Sequence, residues 1–146
     1  MGWKGWSPVK HIQDIRHALN VALARLNELE LALAHRAPEL HEWDAKTITE
    51  CVAKEFGISK EILYVRARGR PMVYARQVAM FLMSKHTSMV PREITAHFRA
   101  DMHIGTHTYA IKAVSTMMEL DPIFSGKVVR AETQYLIAKN AKTTNE

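Results

Sequence analysis

Apolar residues fall at Ile12, Ile15, Leu19, Ala22, Leu26, Leu29 and Leu33, alternately three and four positions apart. That is the heptad spacing of a helical seam. Ser7 and Pro8 supply an N-cap and a first helical residue, and no proline or glycine interrupts the pattern before Pro38. With Ile12 at heptad position a, Arg25 falls at g and Glu30 at the following e, where they can pair across a parallel dimer. Ala18, Leu23 and Ala32 widen the apolar stripe beyond a two-stranded seam. Two readings follow. The helix self-associates through Ile12, Ile15, Leu19, Leu26, Leu29 and Leu33, or it caps its own domain.

The pattern then changes. Pro38 is expected to break the helix, which makes residues 38–46 a linker pinned by Leu40 and Trp43. Thr47 and Glu50 have capping-box spacing, Ile48, Val52 and Phe56 follow at helical intervals, and Gly57 is a natural stop. Ser59 is placed to cap a short helix holding Ile62 and Leu63. After the basic loop Arg66–Arg70, Pro71 sits in the first turn of a helix ending near His86. Pro91 opens another helix with Ile94 and Phe98 facing inward, residues 99–106 form a turn, and a helix runs from about Thr108 to Glu119. Asp121-Pro122 stops it and starts a last helix carrying Val128, Val129 and Leu136. Residues 139–146 are expected to be disordered. No period-two pattern persists, so the class is all-α: a long amphipathic helix over residues 1–37, then a compact helical domain over 47–138.

Composition narrows the function. The 146 residues are 47% hydrophobic and 24% charged, ordinary globular usage that argues against wholesale disorder. The longest apolar run, Val78 to Met83, is far short of the roughly 20 residues of a membrane span. The opening Met-Gly-Trp-Lys-Gly-Trp has neither a signal-peptide core nor a myristoylation serine, so a cytoplasmic protein is expected. Cys51 stands alone, which excludes an internal disulfide. Neither G-x-x-x-x-G-K-[ST] nor G-x-G-x-x-G occurs, so no nucleotide cofactor is expected. No nucleophile–base set, paired carboxylates or metal cluster points to an enzyme. His103 and His107 are four apart, but they lack a third metal ligand. Residues 8–44 carry four basic and six acidic side chains, a balance of −2. Residues 45–146 carry fifteen and nine, a balance of +6. A module with that excess favours polyanions, because neutralised phosphates release condensed counterions.

One stretch is specific. Ala75-Arg76-Gln77-Val78-Ala79-Met80-Phe81-Leu82 resembles the Arg-Gln-x-Ala-Met-x-Leu helix of the DnaA family, the bacterial chromosomal replication initiators. Upstream, Ile48, Val52-Ala53 and Phe56-Gly57-Ile58 resemble the family's preceding helix. Downstream, Glu93-Ile94 and Phe98 resemble the first helix of its helix-turn-helix. The resemblance covers about residues 46–138 and is confined to the C-terminal DNA-binding domain, without the ATPase module. It implies a compact helix-turn-helix fold of the Trp-repressor/DnaA C-terminal kind. The pattern departs after Phe98. The family's G-G-R-D-H-[ST]-T-V is replaced by Arg99-Ala-Asp-Met-His-Ile-Gly-Thr-His-Thr-Tyr-Ala110, with either Ala110 or Ala113 at the family's alanine.

The candidate DNA-binding residues follow. Arg66, Arg68 and Arg70 form an arginine loop suited to a narrow minor groove or to phosphates. For Arg76 the resemblance implies a phosphate contact. Thr106, His107 and Thr108 open the expected recognition helix, the part that meets base edges in helix-turn-helix proteins, and Lys112 lies one turn on. Capping by Thr106 or Thr108 is the alternative use of those hydroxyls. The expected function is a sequence-preferring double-stranded DNA-binding regulator of replication initiation or transcription, homo-oligomeric and located at the nucleoid. The alternative is an adaptor that uses the same fold to hold a replication or transcription protein.

Overall fold

A computed structural model describes residues 7–145, with side chains throughout except at 33–40. Trp3 and Trp6, which precede the first helix and could serve either as a staple for it or as a partner contact, lie outside the described residues, as do the side chains of Leu33 and Leu40. The described chain is helical: α1 (Pro8–Phe56), a 3-10 turn (Lys60–Tyr64), α2 (Arg70–His86), α3 (Pro91–Phe98), α4 (Gly105–Leu120) and α5 (Pro122–Thr144). No strand occurs among the described residues. The chain divides into two compact units, Met1–Arg36 and Ala37–Glu146, and α1 contributes to both.

In the first unit α1 exposes the whole of its described seam. Ile12, Ile15, Leu19, Leu26 and Leu29 are 48–60% exposed, and Val9, Leu23 and Leu31 are exposed beside them.

The second unit is built on a fully buried centre. Ile48 and Val52 from α1, Leu63 from the 3-10 turn, Val78, Leu82 and Met83 from α2, and Ile94 from α3 meet Val114 and Tyr135 from α4 and α5. Helix α2 packs against α4, α3 and the 3-10 turn, and α4 also packs against α5. Prolines open α2, α3 and α5, where their missing N–H costs nothing. Asp121 caps α5, accepting hydrogen bonds from the backbone N–H groups of Ile123 and Phe124. Gly57, at φ +68°, ends α1. The amides of Gly57 and Ile58 return to the carbonyls of Lys54 and Ala53, the double bond of a Schellman stop.

Two expectations need correction. The linker over 38–46 is helical, because α1 continues past Pro38. A mid-helix proline costs about 3 kcal/mol. The segment expected as a linker is instead part of the core: Ala45 is buried, Trp43 packs against the core, and Asp44 accepts a hydrogen bond from the Tyr135 hydroxyl at 2.6 Å. Thr47 is therefore a mid-helix residue and not a cap. The tail expected to be disordered from residue 139 is helical to Thr144. Lys142 lies 4.5 Å from the centre of the Trp43 ring, and Lys139 is 3.7 Å from the Asp44 carboxylate, so the last turns are held to α1.

Candidate nucleic-acid interface

Helices α3 and α4 with the turn between them form a helix-turn-helix unit. The register of α4 is set by a buried stripe, His107, Ala110 and Val114, spaced three and four apart. That stripe turns Thr106, Thr108, Tyr109 and Lys112 outward, and all four are exposed. The start of α4 is capped by neither threonine. His103 Nδ1 accepts a hydrogen bond from the Gly105 amide at 2.9 Å, so its imidazole serves as the cap. A Cβ on Gly105 would sit 2.9 Å from that same nitrogen, so the glycine leaves room for the ring. His103 precedes the helix and its Nδ1 is engaged, while His107 faces the core. The two histidines therefore do not present a shared metal-binding face.

His107 is corrected from an expected base contact to a packing residue. It is 8% exposed, and its Nε2 is buried without a hydrogen-bond partner. Burial lowers its pKa, since a charged ring would lose its hydration there. The reason for the mistaken expectation is helical phase: position 107 lies on the same stripe as Ala110 and Val114.

The arginine loop leads into α2, whose first residue is Arg70. Arg68 and Arg70 are exposed and make no ion pair among the described residues. Arg66 is also exposed but forms an ion pair with Asp101, which lies in the turn between α3 and α4. The fold thus joins the loop to the helix-turn-helix and supplies an acid partner 35 positions away. The Arg66 guanidinium holds the Asp101 carboxyl below the usual carboxylate range. Arg99, the residue after α3, faces the same carboxylate at 3.9 Å.

Arg76, for which the resemblance implies a phosphate contact, is engaged within the fold. Half-buried on α2, it donates from Nε to the Leu63 carbonyl at 2.9 Å and from an Nη to the Val65 carbonyl at 2.7 Å. Those carbonyls belong to the 3-10 turn and the residue after it, so Arg76 fixes the root of the arginine loop. Burial, and then the nearby Arg99, lower its pKa. Sequence reasoning offers Arg99, His103 and Tyr109 as the alternative base-reading residues if His107 and Thr108 touch only phosphate; what it missed is Asp101 as the partner of Arg66 and Arg99, and His103 as a cap. The signal available was an Arg-x-Asp-x-His run directly after Phe98.

Residues 45–117 match the family model described as the bacterial DnaA protein helix-turn-helix, which is half of the chain. The chain belongs to the bacterial DnaA helix-turn-helix family. The DnaA match spans the C-terminal part of α1 through α4 and therefore contains the arginine loop, Arg76 and the outward face of α4. Relatives named chromosomal replication initiator protein DnaA include that of Synechococcus sp. (strain JA-2-3B'a(2-13)), 29% identical over 92% of this chain and 30% of that protein. The one from Nostoc sp. is 30% identical over 76% of this chain and 26% of its own length. The one from Oleidesulfovibrio alaskensis is 33% identical over 58% and 17%. The chain spans less than a third of the length of these DnaA relatives. No helix among the described residues is long and apolar enough to cross a membrane.

Proposed function

We propose that the chain is a sequence-preferring, double-stranded DNA-binding module that works as a dimer or higher oligomer in regulating replication initiation or transcription at the nucleoid. The observation that carries this reading is the DnaA helix-turn-helix, with Thr106, Thr108, Tyr109 and Lys112 on the outward face of α4. In this reading α4 enters the major groove, where hydroxyls and the tyrosine meet base edges and Lys112 meets phosphate. Arg68 and Arg70 reach the adjoining minor groove or backbone. Arg66 joins them once released from Asp101, and Arg76 acts indirectly by holding the loop in place. The exposed seam Ile12, Ile15, Leu19, Leu26 and Leu29, continued in sequence by Leu33, pairs subunits so that two modules engage two half-sites.

The test is a gel shift with A·T-rich and random duplexes at two salt concentrations. The expected outcome is binding that weakens steeply with salt, with a preference among duplexes that survives it. A folded protein that leaves both duplexes unshifted at low salt would refute the reading. It would favour the adaptor role, in which the apolar seam holds a protein partner.

A further inference from the structure

Two guanidinium groups from different segments face one carboxylate, and a third lies beside one of them. Arg66 comes from the loop before α2, Arg76 from α2 and Arg99 from the end of α3, and Asp101 lies in the turn that leads to α4. Arg66 and Asp101 pair in solvent, with side chains 73% and 53% exposed. Arg99 is more enclosed, at 24% exposure. Its Nε is buried without a hydrogen-bond partner, because the carboxylate 3.9 Å away is beyond bonding distance. Arg76 lies close enough to Arg99 for the two charges to repel, and its donors to Leu63 and Val65 keep it there. The cluster therefore carries three positive charges against one negative, and the most exposed cation of the ion pairs, Arg66, is the one held by the Asp101 carboxylate.

We infer that Arg66 and Arg99 form a phosphate subsite in which the Asp101 carboxylate holds the place of a DNA backbone phosphate and is exchanged for it on binding. The inference rests on the DNA-binding reading for its ligand. The chemistry favours exchange. An exposed ion pair is weak, because water screens it and two long side chains must be ordered to make it. A phosphodiester offers two acceptor oxygens to a guanidinium fork, and its neutralisation releases condensed counterions, which Asp101 cannot do. Asp101 thereby lowers affinity for a duplex that delivers a phosphate to this position, by the cost of breaking its pair with Arg66.

The experiment is a double-mutant cycle on the full chain, with Asp101→Asn, Arg66→Ala and the two combined, measured on one duplex at low salt. Asp101→Asn keeps the shape of the side chain and removes its charge. It is expected to tighten binding by up to about fivefold, the ceiling for freeing a surface ion pair. In the Arg66→Ala background the same change is expected to give no gain. An undiminished gain without Arg66 would mean simple removal of a negative charge near DNA, and would overturn the exchange. So would unchanged or weaker binding by Asp101→Asn. A second arm titrates inorganic pyrophosphate and follows the arginine Nε–H resonances. Arg66 and Arg99 are expected to respond, more strongly in Asp101→Asn. That response in a chain that ignores duplex would sink the DNA reading while keeping the phosphate subsite. No response in either form would sink the subsite even if duplex is bound.

Discussion

A histidine buried in the first turn of a helix takes up a proton only at the cost of lost hydration. His107 sits this way in α4, and burial also lowers the pKa of His97, with the Lys46 charge adding to the effect. In the unfolded chain both rings titrate near 6.5. As pH falls through that value the unfolded state binds the proton first, so stability is steady above about pH 7 and is lost below about 6.5, until the folded rings themselves protonate. The loss is at most about 1.4 kcal/mol per pH unit for each ring. Urea midpoints measured from pH 8 to 5 check this, and His107→Leu should remove its share of the acid slope. A full slope in that variant would assign the effect elsewhere. Arg76 invites a second measurement. Arg76→Lys cannot span the Leu63 and Val65 carbonyls with one ammonium, and should cost about 1–3 kcal/mol of stability along with DNA affinity. Arg68→Ala, which removes an exposed side chain with no ion pair among the described residues, should lower affinity for all duplexes and leave the melting temperature unchanged. Identity at these positions was legible in the sequence but direction was not. An arginine reads the same whether it points at a phosphate or at a carbonyl, and His107 reads as a base contact until the buried stripe of α4 fixes its phase.

The most legible helix starts were those that a proline or an Asp-Pro pair marks locally: Pro71, Pro91 and Asp121-Pro122 stand where α2, α3 and α5 begin, whereas α4, which no proline marks, begins at Gly105 and not near Thr108. Gly57 likewise stops α1 as its type requires. The misread boundaries were those decided by distant packing. Pro38 is a local stop signal overridden by the buried turns around Ile48, and the polar tail is held by Trp43 and Asp44 from the other end of the domain. Truncation after Ala138 therefore carries a cost that a frayed tail would not. Losing the Lys142 contact with Trp43 and the Lys139 pair with Asp44 should destabilise the protein by about 1 kcal/mol in a denaturant titration. An unchanged midpoint would show that the last turns hold nothing. The seam of α1 allows a sharper test. Leu19→Glu with Leu26→Glu places charges in two positions of an exposed apolar stripe, and should convert an oligomer to a monomer by light scattering while leaving helix content in place. Wild-type protein that is already monomeric at tens of micromolar would refute pairing through this face.

At the scale of the whole molecule, charge and seam divide the work between the two ends of the sequence. Residues 8–44 carry a balance of −2 and residues 45–146 one of +6, so the basic excess lies in the part of the chain that contains the helix-turn-helix, while the exposed apolar seam lies before it. Pairing two such modules adds no new contact to DNA. It makes the second binding event intramolecular, at an effective concentration set by the connection between modules. It also doubles the number of phosphates neutralised, and that number sets the slope of log affinity against log salt. The monomeric Leu19→Glu/Leu26→Glu variant should therefore bind a duplex carrying two half-sites with about half the salt slope of the wild type, and much more weakly at low salt. On a duplex with one half-site the two proteins should differ little, since the outward face of α4 and the arginine loop are untouched by the substitutions. Equal slopes on the two-site duplex would mean that each module binds alone, and that the seam serves a partner other than a second copy of the chain.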